Sequence, residues 1–188
     1  MRLKPEAIAV LMWLLVAVGC GSEDHDQAAH CSRPGSDCRL AEAAAEAGVW
    51  VGAAIGDPSA PAAQAVVGKH FNSVTAENAM KWHSVAPTVG NYDFTHADAI
   101  VELAESRGVR VRGHTLIWRT EQPDDLRSQI LAAGDPAGRM HEILAQHIRT
   151  EVGRYRGRVA VWDVVNEPLA VAGSQMDNNI FMETLGET

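Results

Sequence analysis

A surplus of positive charge is missing from this chain. Its 188 residues carry 24 acidic against 16 basic side chains, a formal charge of −8, which excludes the usual profile of a nucleic-acid or anionic-membrane binder and describes an acidic globular protein. Long apolar runs are missing too: the uncharged stretch Ala7 to Val18 has twelve residues, too few to span a bilayer as a helix. No glycine-rich phosphate loop follows a strand, and the few serines lack a nucleophile-elbow context. His141-Glu142 and His147 resemble a zinc-protease helix only loosely, because their histidines are six apart and that motif needs four. No metal, nucleotide or flavin cofactor is expected.

Cysteine is scarce, and each of the three has an assignable place. Arg2 and Lys4 precede the apolar stretch, which therefore reads as a signal-peptide core over residues 1–20. Ala17-Val18-Gly19-Cys20 resembles a bacterial lipobox, in which Cys20 is lipidated and becomes the new N-terminus. An ordinary secretory signal cut nearby is the alternative. Either reading exports the protein, as an outer-membrane or cell-surface lipoprotein or as a secreted or periplasmic one, and membrane contact is expected only through that lipid. Cys31 and Cys38 are then left to form a disulfide in an oxidising compartment; their spacing lacks the second ligand pair of a zinc site. Residues 21–38 have linker composition.

Beyond the linker, helix-like and strand-like segments alternate. Arg39 to Ala47 is alanine-rich and favours helix, with Gly48 as its stop. Pro58 to Gly68 and His96 to Arg107 follow as crossover helices, and Pro136 to Tyr155 carries Met140, Ile143, Leu144, His147, Ile148 and Val152 along one stripe. Between them lie four strands: Val49 to Ile55, Phe71 to Thr75, Val109 to Trp118, and one from about Val159 that ends at Asn166-Glu167. Right-handed crossovers make them parallel. The apolar run of the fourth strand predicts burial on both faces, with polar residues at its C-terminal tip, where α/β barrels keep their chemistry.

Three motifs on these tips carry a resemblance: Glu77-Asn78 with Met80-Lys81-Trp82, Arg112-Gly113-His114-Thr115-Leu116 with Trp118, and Trp162-Asp163-Val164-Val165-Asn166-Glu167. In this order and spacing the chain resembles the family-10 glycoside hydrolases, mostly endo-1,4-β-xylanases. The resemblance implies a (β/α)8 TIM barrel, of which residues 39–188 would be the N-terminal half with four βα units; Leu185-Gly186-Glu187 resembles the opening of the family's fourth helix. A half-barrel of this kind leaves strand edges unpaired, so self-association or aggregation is expected.

The resemblance further implies a substrate, xylan or xylo-oligosaccharide, and a role for each tip residue. Glu167 would be the acid/base that protonates the departing oxygen, in a partly buried setting that favours its protonated form. Asn166 would bond the sugar 2-hydroxyl. Glu77, Asn78 and Lys81 would hold ring hydroxyls, as would His114 near the cleavage point, and Trp118 would offer an apolar face to a pyranose. Trp82 is open between core packing and ring contact. Asp163 points to the strand interior or to support of other site residues. The family's nucleophile, a second Glu on the seventh strand, has no counterpart in these four units. After Trp118 the chain departs from the family pattern, with Arg119 and Glu121 where His and Gln are usual, so contacts near the cleavage point are expected to differ. A non-catalytic lipoprotein that binds xylan or a related β-1,4-glycan, or an inactive truncated fragment, is the alternative to an active enzyme.

Overall fold

The structure, a computed structural model, describes residue 31, residues 37–169, residue 176 and residues 178–186. The export segment with Cys20, and most of the linker, lie outside the described residues. Cys31 and Cys38 are joined by a disulfide, their Cα atoms 5.1 Å apart.

The order along the chain is Leu40–Glu46 (α1), Gly52–Ile55 (β1), Pro61–Val66 (α2), Ser73–Ala76 (β2), Trp82–Val85 (α3), Thr95–Ser106 (α4), Arg110–Trp118 (β3), Leu126–Leu131 (α5), Pro136–Arg154 (α6), Val159–Asn166 (β4) and Ile180–Leu185 (α7). Local chemistry sets several of these boundaries. Gly48 takes φ +68° where α1 ends, a conformation glycine adopts without penalty. Asp93 accepts hydrogen bonds from the Thr95 amide and hydroxyl at the start of α4, and Asp135 accepts from the Gly138 amide at the start of α6, where Pro136 fills the first turn. The short helices α3 and α5 have too little length for periodicity to reveal them, and β1 begins at Gly52 rather than Val49 because Val49 and Trp50 stand clear of the ladder to β2.

The four strands form one parallel sheet in sequence order, β1-β2-β3-β4, as the alternating pattern predicts. Pairing of β3 with β4 is irregular twice. Between Val111 and Arg112 the partner residue on β4 advances from Val159 to Val161; between His114 and Ile117 it advances only from Asp163 to Val165. Each strand thus carries one extra residue in turn.

The core lies on one face of the sheet. Val74, Ala76 and Val111 pack against Ala97, Ile100, Val101 and Ala104 of α4 and Met140 and Ile143 of α6, all buried. At their ends α4 and α6 are tied by charge: the Arg154 guanidinium pairs with Asp98, to which the Tyr155 hydroxyl also donates, and Arg158 pairs with Glu105 at 2.7 Å. The opposite sheet face is open among the described residues, with Trp50 half exposed.

This corrects the reading of the fourth strand as buried on both faces. Val161, Val164 and Val165 are 44–52% exposed, and since successive strand residues point to opposite faces, Val164 and Val165 show exposure on both; β4 is the last strand of the sheet among the described residues. The apolar run reports that the strand suits a covered position; it does not supply the cover.

Candidate active site

The expected sugar-site residues sit at or just beyond the C-terminal ends of β2, β3 and β4, except His114, which lies midway along β3. Four of them form a chain of direct contacts. Lys81 Nζ donates to Asn78 Oδ1 at 2.7 Å and lies 4.7 Å from the centre of the Trp118 ring, a cation–π distance. The other side of the connection is polar: Trp118 Nε1 donates to Glu167 Oε2 at 3.0 Å. Arg119 Nη2 stands 3.7 Å from the same oxygen. Sequence reasoning noticed Arg119 as a departure but did not foresee that it faces the carboxylate.

Glu167 follows the last residue of β4 with φ +46°. Residues other than glycine seldom adopt that backbone region, and such positions concentrate at functional sites. Its side chain is 55% exposed, so the partly buried setting expected for an acid is not built by these four strands. Asn166 precedes it on the tip, partly buried.

Glu77 and Asn78 are exposed at the end of β2. The Glu77 amide donates to the Ile55 carbonyl at 3.1 Å, and its carboxylate lies over Gly56, where a Cβ would come within 2.6 Å of Glu77 Oε2. Glycine at that position makes room for the carboxylate.

His114 belongs to a second cluster. It is paired across the sheet with Asp163, and its Nδ1 is 2.8 Å from Asp163 Oδ2. Arg112 donates through Nε and Nη2 to Asp163 Oδ1, at 3.0 and 2.8 Å. Burial works to raise the Asp163 carboxyl, but the hydrogen bonds from His114 and Arg112 and the guanidinium charge outweigh it and hold it below the usual carboxylate range. Its stabilising contribution is therefore present at neutral pH and is lost as pH falls through that lowered value. Asp163 fixes the imidazole: with Nδ1–H directed at the carboxylate, Nε2 of the neutral ring is the acceptor. Changing Asp163 to Ala should abolish the preference for the Nδ1–H tautomer, seen in nitrogen chemical shifts of the His114 ring; unchanged shifts would remove Asp163 from this role.

Trp82 resolves to core packing. It is 1% exposed and stacks on His147 with ring centres 4.3 Å apart and planes 10° from parallel. Glu121 is partly buried and accepts the His83 amide through its carbonyl at 3.2 Å. Among the described residues no group of three or more His, Cys, Asp and Glu side chains could hold a metal ion. An apolar cleft of about 220 Å³ runs beside Glu167, lined by Ile117, Trp118, Val165, Phe181 and Met182.

Parallel strands that alternate with helices and gather polar side chains at their C-terminal tips are the arrangement of part of a (β/α)8 barrel. Comparison with known proteins makes the assignment specific. The family model for glycosyl hydrolase family 10 matches residues 39–188, and the chain belongs to that family. It is 48% identical over 105 residues to endo-1,4-beta-xylanase B of Paenibacillus barcinonensis, covering 55% of this chain and 31% of that protein. To endo-1,4-beta-xylanase B of Thermotoga neapolitana it is 32% identical over 178 residues, 92% of this chain and 47% of the relative. Among solved structures, xylanase 10B from Thermotoga petrophila RKU-1 in complex with xylobiose superposes with a TM-score of 0.69 at 33% identity, over 80% of this chain and 46% of that one. The chain thus spans about half or less of the length of the relatives it matches.

Proposed function

We propose that the tip surface of Glu77, Asn78, Lys81, His114, Trp118 and Asn166 holds a β-1,4-linked xylose chain, and that Glu167 is the acid/base of a retaining endo-xylanase. The observation that carries this reading is the convergence on Trp118. One indole presents its face beside the Lys81 ammonium and its N–H to Glu167, so a platform for a sugar ring is tied directly to a proton donor. Hydrolysis with retention also needs a nucleophilic carboxylate about 5 Å from the acid, which the family resemblance places on a seventh strand, outside the four described here.

Binding without hydrolysis is the second reading, favoured by the exposure of Glu167. Both are tested by titrating xylo-oligosaccharides into the protein and assaying reducing-sugar release from xylan. Saturable binding with hydrolysis that Glu167→Gln lowers by about 10²-fold or more supports the catalytic reading. Saturable binding with no hydrolysis supports the second. No heat and no tryptophan fluorescence change at millimolar sugar rejects both.

A further inference from the structure

The least expected chemistry in the chain lies beneath the tips. His147 and Glu151, one turn apart on α6, are both fully buried. His147 contacts two separate segments of the candidate site. Its Nε2 is 2.9 Å from the Leu116 carbonyl, and its ring is stacked on Trp82. Leu116 lies inside the second irregularity of the β3–β4 ladder, midway between His114 and Trp118. There the strand's regular pairing is interrupted and a buried carbonyl needs another donor. Trp82 directly follows Lys81.

The ring's own hydrogen-bonding capacity fits this place. A neutral imidazole has one donor and one acceptor. Here Nε2–H meets the Leu116 carbonyl, and Nδ1 faces the Tyr92 hydroxyl at 3.5 Å. In the other tautomer, with the proton on Nδ1, Nε2 would present a lone pair to the carbonyl.

We propose that His147 is a positioning residue: it joins the β3 tip to the Lys81–Trp82 turn and so sets how Lys81 meets Trp118. The consequence for sugar recognition rests on the function proposed above; the mechanical claim does not.

Two variants separate its two contacts. His147→Phe keeps an aromatic ring for Trp82 and removes the donor to Leu116. His147→Gln keeps a donor and removes the ring. Backbone hydrogen exchange is measured on the full chain over residues 116–118 and over 82–85, with α4 as the internal standard for overall stability. For His147→Phe, exchange at residues 116–118 is expected to rise roughly tenfold while α4 is unchanged, with xylo-oligosaccharide affinity falling by about tenfold, the worth of one hydrogen bond. His147→Gln is expected to keep protection over 116–118 and lose it over 82–85. Wild-type exchange in both segments of a folded variant overturns the proposal, as does a rise that merely tracks α4. If His147→Phe does not fold, His147→Gln alone decides, by whether its two segments separate. Failure of the unmodified protein to bind sugar would reject the functional reading and leave the exchange result to judge the positioning claim.

Discussion

Replacing Gly113 by alanine is expected to remove about 3 kcal/mol of stability, the upper part of the usual range for overpacking. Gly113 is paired across the sheet with Trp162, whose ring lies flush against the glycine. An added Cβ would sit 2.2 Å from Trp162 Cε3 and 2.4 Å from Cζ3, far inside van der Waals contact. The indole cannot simply swing away, since it packs against the core and beside Tyr155, ring centres 6.3 Å apart. Denaturant unfolding of Gly113→Ala checks the size of the loss. The double variant Gly113→Ala with Trp162→Ala should lose less than the two single losses added together. An unchanged midpoint for Gly113→Ala would show that the strands slide apart at little cost.

Substituting Glu151 by leucine is expected to stabilise the chain, increasingly so as pH rises. Glu151 Oε2 lies 3.3 Å from His147 Nε2, the distance of an ion pair, yet both side chains are wholly buried and neither carboxyl oxygen has a hydrogen-bond partner. Burial therefore keeps the pair neutral: it pushes Glu151 up to about 9 from 4.5 and His147 down to about 4 from 6.5, the latter partly opposed by the bond to the Leu116 carbonyl. Tyr92 also faces the pair, and burial raises its hydroxyl, so it stays neutral over the same range.

The two shifts have opposite linkage. The Glu151 contribution is complete below 4.5 and is lost as pH rises toward 9; the His147 contribution is complete above 6.5 and is lost as pH falls toward 4. Between 4.5 and 6.5 the two slopes cancel, and above 6.5 only the loss from Glu151 remains. At pH 7 that loss is on the order of 3 kcal/mol, which leucine would recover, since an apolar side chain suits a site with no donor for a carboxylate. Calorimetry of both proteins from pH 5 to 9 reads the difference. A gap between the two that does not widen above pH 6.5 would mean that Glu151 is ionised in the folded chain.

Much of the architecture was legible because parallel-sheet strands announce themselves by unbroken apolar runs and by the polar residues that stop them. Val109 to Trp118 is such a segment, and the sheet order follows from four of them linked by crossovers. What stayed hidden has a common physical origin. Glu151 lies in a helix rich in polar residues, where a carboxylate ordinarily faces water, and only the position of α6 against β3 shows otherwise. Val161, Val164 and Val165 looked enclosed because sequence records what a strand suits, not what adjoins it. Of the candidate site, the tip residues were readable as motifs. Their pairing was not: the contact of Trp118 with Glu167, the approach of Arg119 and the grip of Asp163 on His114 depend on register between β3 and β4.

That register has a further consequence for what changes the chain can absorb. Arg112, His114 and Asp163 occupy a window bounded by two offsets of opposite sense, one extra residue on β4 near Ala160 and one on β3 near Thr115 and Leu116. Within the window the strands run one step out of phase with the pairing on either side. Removing the extra residue at a boundary would straighten the ladder there and keep the pairs beyond it, whereas removing a paired residue inside the window would shift the register and turn the side chains beyond it to the opposite face. A deletion at Trp162, inside the window, would thus part Asp163 from His114 without touching either, so the spacing of this short segment is as much a chemical specification as the identity of its residues.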